Sequence, residues 1–183
     1  MSEAWLLALG GGLVLGLSGF LAVMAVHGFY LVRNSVAYVV LPAGALAVVA
    51  RELDVRAGDV VLDLGCGDGR VLHELWRQER RARYMGVEND VMVWLRARWR
   101  QRGTGVQLVR GDIAGVSLRE ATRVYVYLGP RLMAELQPRF ERELPQGARV
   151  VSVQFPLPGR EPDEVVELPA SKRHAARLYV YEY

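Results

Sequence analysis

Three features of the sequence predict an α/β fold built on a mainly parallel sheet. Aliphatic runs of strand length alternate with segments of helical periodicity over most of the chain. A glycine-rich turn directly follows the first of those runs, where open parallel sheets bind ligands. Setting aside an uncharged N-terminal stretch leaves roughly 150 residues, an ordinary length for one domain.

The elements follow in order. Tyr38 to Pro42 reads as a connector, and Ala43 to Leu53 carries apolar residues at helical spacing. "RAGD" (Arg56 to Asp59) is a turn before the apolar strand Val60 to Leu64. The next helix, Gly69 to Gln78, turns Val71, Leu72, Leu75 and Trp76 to one side. "RYMGV" (Arg83 to Val87) is a second strand, ending at Glu88. Asp90 is placed to cap a helix running to about Arg100, with Val91, Trp94, Leu95 and Trp99 expected inward. Val106 to Arg110 and Arg123 to Leu128 are the third and fourth strands. Pro130 starts a helix with Leu132, Met133, Leu136 and Phe140 on one side. Arg149 to Phe155 is a fifth strand, and "EVVEL" and "ARLYVYEY" close a seven-stranded sheet as a hairpin.

Composition narrows the function. The chain has 183 residues and a net charge of +3, with Lys172 its only lysine. Arginines interleave with acids, as in "RQERRAR", so a solvated helix face is expected rather than a nucleic-acid patch. Cys66 is the only cysteine, which excludes an intrachain disulfide, and no Cys/His cluster suggests a metal. His27, His73 and His174 are far apart in sequence.

From Ala4 to Val32 there is no charged residue. As a helix this stretch would extend roughly 43 Å, enough to cross about 30 Å of hydrocarbon. It lacks the positive leader of a signal peptide. The expectation is one transmembrane helix, with an anchor over residues 1–33 and a catalytic domain over 34–183. Arg33 and the arginines beyond it place that domain on the cytoplasmic side of a single-pass membrane protein.

The glycine run is "DLGCGDGR", Asp63 to Arg70. It departs from the dinucleotide fingerprint, because its third glycine, Gly69, comes one residue early. The spacing D-x-G-x-G-x-G is the one used for S-adenosylmethionine (SAM). That cofactor has no pyrophosphate but needs an acceptor for its methionine ammonium, which Asp63 can supply. Glu88 ends the second strand, 25 residues after Asp63, where a carboxylate can accept from both ribose hydroxyls. Asp112 follows the third strand, where it can accept from the adenine amino group.

With these residues the chain resembles a Rossmann-like class I SAM-dependent methyltransferase. It is most similar to the small protein-lysine methyltransferases of archaea and mitochondria. The resemblance covers about Tyr38 to the end and rests on "DLGCGDGR", "GVENDVMVW" (Gly86 to Trp94) and "ELPQGARVVSVQFPLPG" (Glu143 to Gly159). It implies SAM as cofactor, held by Asp63, Gly65, Cys66, Gly67, Asp68, Glu88, Asn89, Asp112 and Ile113. It also implies a protein substrate methylated on lysine, membrane proteins included, and no nucleic-acid partner. The family's Pro-Tyr-Val-Pro-Thr-like segment is altered here: Tyr38 stands at the tyrosine, but Ala37, Val40 and Leu41 replace the flanking Pro and Thr positions.

Tyr38 and Tyr127 are the catalytic candidates. Tyr127 ends the fourth strand, where class I enzymes place the acceptor; alternatively, Tyr125 and Tyr127 mark one packed strand face. "YLGP" stands where amino-methylating DNA and glutamine enzymes carry Asn/Asp-Pro-Pro-Tyr, which argues against nucleic-acid bases. Lipid or small-molecule methylation, and cofactor binding without catalysis, remain as alternatives to protein-lysine methylation.

Overall fold

The computed structural model describes residues 16–26, 28, 41, 43–169 and 177–183. The chain divides into two units, Met1–Val39 and Val40–Tyr183. In the first, residues 16–26 form a helix, α1. The expected anchor falls largely outside the described residues, as do Tyr38 and His27. Among the described residues no helix is long and apolar enough to cross a membrane. The single-pass membrane location expected from the sequence is corrected on that finding.

The second unit is the α/β body. Its elements are α2 (Ala43–Leu53), β1 (Val60–Leu64), α3 (Arg70–Gln78), β2 (Arg83–Glu88), α4 (Val91–Arg100) and β3 (Gln107–Arg110). A 3₁₀ turn (Ile113–Gly115), β4 (Arg123–Val126), α5 (Pro130–Glu143), β5 (Arg149–Val153), β6 (Glu164–Glu167) and β7 (Arg177–Glu182) complete it. The seven strands run in the order β3-β2-β1-β4-β5-β7-β6. The first five pair in parallel, and β7 enters antiparallel beside β5 with β6 hairpinned on its outer side.

Burial explains the near-continuous aliphatic strands. One face packs Val61, Tyr125, Val151 and Val180 with Val49, Leu53, Leu72 and Leu75 of α2 and α3. The other packs Leu62, Leu64, Val124, Val126 and Val150 with Met133, Leu136 and Phe140 of α5. A strand buried on both sides has no polar face to show, so its sequence does not alternate.

Two strands end sooner than the sequence suggests, β4 at Val126 and β5 at Val153. In β5 the cause is Gln154, whose φ of +72° breaks the extended backbone. Helix α4 corrects a larger expectation. Asp90 caps it as expected, its Oδ1 accepting from the amides of Met92 (2.8 Å) and Val93 (3.0 Å). Yet Ala97 is its buried residue, while Trp99 is 69% exposed, and Val91, Met92 and Leu95 also face solvent. The helix lies beside edge strand β3 and touches the sheet along a narrow line, so half of its apolar spacing is not used for the core.

Candidate active site

The site forms beyond the carboxyl ends of β1 and β2, beside the β1–β4 junction where the sheet order turns from descending to ascending. Chain leaving β1 makes a tight loop in which Gly65, Gly67 and Gly69 all take left-handed backbone (φ +79°, +57° and +73°). Only glycine adopts that conformation without steric cost, which accounts for its presence at alternate positions. At Gly65 a side chain would also meet Leu128, 2.9 Å from an added Cβ. The amides of Gly65 and Cys66 both donate to the Val87 carbonyl (2.9 Å each), fastening the loop to β2.

Asp68 is held by arginine. Its carboxylate accepts from Nε and Nη2 of Arg70 (3.0 and 2.9 Å) and from Nη2 of Arg100 (2.7 Å). Arg100 also donates to the Asp68 carbonyl, and the Gln101 amide donates to Gly69 O (2.7 Å). Helix α4 therefore grips the loop. Asp68 is thus engaged in loop architecture.

Asp63 is the opposite case. It is 1% exposed, and neither carboxylate oxygen has a hydrogen-bond partner. Burial, with the charges of Glu88 and Asp68 adding to it, pushes its pKa well above the ordinary carboxylate value. In the sheet it stands between Gly86 and Tyr125. Burial, with the charges of Asp63, Glu88 and Asp68 adding to it, also pushes the Cys66 thiol upward, which favours its neutral form.

Glu88 is half-buried. Its Oε2 accepts from the Gly67 amide (3.0 Å) and its Oε1 from the Asp90 amide (2.9 Å). Desolvation raises its pKa, and these bonds act against that rise. A carboxylate has about four acceptor positions, so roughly two remain for a diol. Asn89, beside it, is exposed. The Gly111 amide donates to the Glu88 carbonyl (3.1 Å) and ties the end of β3 to that of β2. Asp112 is exposed and caps the 3₁₀ turn, accepting from the Ala114 amide (2.8 Å). Ile113 packs half-buried against the core. Arg139 of α5 holds this turn through the carbonyls of Ile113 (2.9 Å) and Val116 (2.5 Å).

Tyr127 directly follows β4, half-buried against the core cluster on the α2–α3 face of the sheet, and burial raises its phenol pKa. The structure thus gathers Asp63, Cys66, Glu88 and Tyr127 around the glycine loop, with Asp112 on a neighbouring rim. Sequence reasoning missed Arg100, Gln101 and Gly86. Gly86 alone carried a signal, a glycine inside a strand, which marks a close approach.

The residues fit SAM. An orphaned buried carboxylate matches an ammonium donor, a backbone-lined cradle admits a bulky nucleoside, and Glu88 keeps acceptor capacity for ribose hydroxyls.

Comparison with known proteins agrees. The family described as the ANTKMT methyltransferase domain matches residues 63–164. A protein-lysine N-methyltransferase of Saccharolobus islandicus is 34% identical over 150 residues, spanning 79% of this chain and 93% of the relative. The adenine nucleotide translocase lysine N-methyltransferase of Mus musculus is 40% identical over 139 residues, covering 73% of this chain but 59% of that protein. The crystal structure of an RNA methyltransferase from Salinibacter ruber, in complex with S-adenosyl-L-homocysteine, superposes with a TM-score of 0.72. It is 30% identical and covers 79% of this chain and 93% of its own.

Proposed function

The chain belongs to the ANTKMT methyltransferase domain family and is a SAM-dependent methyltransferase; within that reaction class we propose that it methylates lysine side chains of a protein. The observation that carries this reading is the 34% identity to a protein-lysine N-methyltransferase across 93% of that relative's length. Bound SAM supplies a methyl group already activated by its sulfonium.

Asp63 would hold the methionine ammonium, Glu88 the ribose hydroxyls, and Asp112 the adenine amino group. Gly65, Cys66 and Gly67 would line the nucleoside with backbone, and Asn89 and Ile113 would flank it. Asp68, gripped by its arginines, keeps the loop in shape. With the cofactor fixed, acceleration comes from bringing the amine into line and excluding water. Tyr127 faces the acceptor, its half-buried ring forming an apolar wall that favours the neutral, nucleophilic amine.

The Salinibacter structure favours a second reading, an RNA acceptor. Against it, β4 runs into Tyr127-Leu128-Gly129-Pro130, without the Asn/Asp-Pro-Pro-Tyr motif. The test incubates full-length enzyme with methyl-labelled SAM and total extract from a host strain lacking it. The expected result is protease-sensitive, ribonuclease-resistant label mapped to lysine by mass spectrometry. Ribonuclease-sensitive label would replace this reading with the RNA one.

A further inference from the structure

Gln154 directly follows the last residue of β5 and carries two separate costs. Its backbone is left-handed at φ +72°, a conformation that disfavours every residue with a Cβ. Its side-chain Oε1 is buried and meets no hydrogen-bond donor. The surroundings hold it there. Its amide donates to the Arg177 carbonyl (2.7 Å), and the Ser152 hydroxyl closes the turn onto the Phe155 carbonyl (2.6 Å). Glycine would remove both costs at once. A strained residue with an orphaned acceptor is characteristic of positions kept for a ligand.

Its location agrees. In the pairing of β4 with β5, Val126 stands opposite Ser152. Tyr127 and Gln154 therefore leave the sheet at the same carboxyl edge, with β4 next to the glycine-loop strand β1.

We infer that Gln154 is a positioning residue for the acceptor, its Oε1 accepting a hydrogen bond from the N–H of the incoming lysine amine. This rests on the protein-lysine reading above. The choice of amide has a chemical reason. A carboxylate here would stabilise the ammonium and delay loss of its proton, whereas a neutral carbonyl orients the amine without that penalty. The nitrogen lone pair then forms the new N–C bond as the carbon–sulfur bond breaks, its electron pair remaining on sulfur. The extra proton of the methylated product leaves to water.

The test compares wild type, Q154G and Q154E as full-length proteins. The readouts are SAM binding by calorimetry, thermal unfolding, and initial rates of lysine labelling in total protein from an enzyme-deficient host. Q154G is expected to melt no lower than wild type, to bind SAM within about twofold, and to lose at least about tenfold in labelling rate. Q154E keeps an acceptor and is expected to need higher pH for half-maximal rate, because its charge raises the pKa of the bound amine. Unchanged labelling by Q154G would overturn the inference. So would a labelling loss that merely tracks a lower melting temperature or weakened SAM binding, the mark of a structural role. Failure of wild type to label any lysine would instead remove the protein-lysine reading, and this inference with it.

Discussion

Replacing Gly86 by alanine should unsettle both the core and the cofactor loop. Gly86 lies in the middle of β2, paired with Asp63 of β1 on one side and Leu108 of β3 on the other, so its backbone cannot retreat. An added Cβ would stand 2.6 Å from Leu72 Cδ1, 2.8 Å from Cys66 Sγ and 2.9 Å from Leu108 Cδ2. Leu72 is fully buried and Cys66 only 6% exposed, so neither has free space to move into. Overpacking costs about 1–3 kcal/mol, and three simultaneous contacts put this site at the upper end. At about 2–4 °C per kcal/mol, the melting temperature should fall by about 6–12 °C. Because Cys66 belongs to the glycine loop, SAM affinity should fall too, by roughly fivefold or about 1 kcal/mol. Circular-dichroism melting and calorimetric titration measure the two effects. A second change, Cys66→Ala, removes one contact, so the double variant should lose less stability than the two single losses together. If Gly86→Ala melted within about 1 °C of wild type and bound SAM normally, the crowding argument would be refuted.

Glu88→Ala should weaken SAM binding more than tenfold, through loss of a charged acceptor and release of the Gly67 amide; titration calorimetry decides it. Asp63→Asn should raise the melting temperature of the SAM-free protein at neutral and alkaline pH. The raised pKa of Asp63 means that its ionised form opposes folding there, and the benefit should shrink as acid protonates the wild-type carboxyl. The same variant should bind SAM more weakly, and wild-type affinity should increase with pH as Asp63 ionises to meet a cation. Glu143 behaves oppositely. The Arg139 hydrogen bond is the main cause holding its pKa down at about 2, so its stabilising contribution is complete above the ordinary value of 4.5 and fades as pH falls through about 2. Glu143→Gln should therefore be less stable than wild type at pH 6 in denaturant titrations, with the gap closing in strong acid.

The parallel sheet and its glycine loop were legible because both are written in short, local chemistry. Val60 to Leu64 can be little other than a strand buried on both faces, and the glycines after it declare left-handed backbone. Asp63 and Glu88 were legible as strand-end acids. Asp112 was found in sequence, but its exposure and its work as a cap depend on the turn that follows. Less legible was anything depending on which neighbour covers a face. Trp99 and Leu95 have the spacing of core residues, yet α4 sits beside an edge strand and leaves them in solvent. The arginine grip on Asp68 joins residues 32 positions apart, and nothing in either local stretch announces it. The membrane-spanning expectation rested on the hydropathy of the uncharged N-terminal stretch alone, and among the described residues no helix is long and apolar enough to cross a membrane.

The grip on Asp68 also bears on how quickly the enzyme can be charged with its cofactor. Two helices, through Arg70 and Arg100, converge on one carboxylate, and Gln101 adds a bond to the next carbonyl. The loop's shape is thus decided when the domain folds, so little conformational entropy remains to be lost on the arrival of SAM. A cradle of this kind should capture its ligand in a single kinetic phase, with a rate linear in SAM concentration. Loosening it at Arg100 should introduce a slow isomerisation before or after encounter, turning a fixed receptacle into one that must be assembled at each turnover.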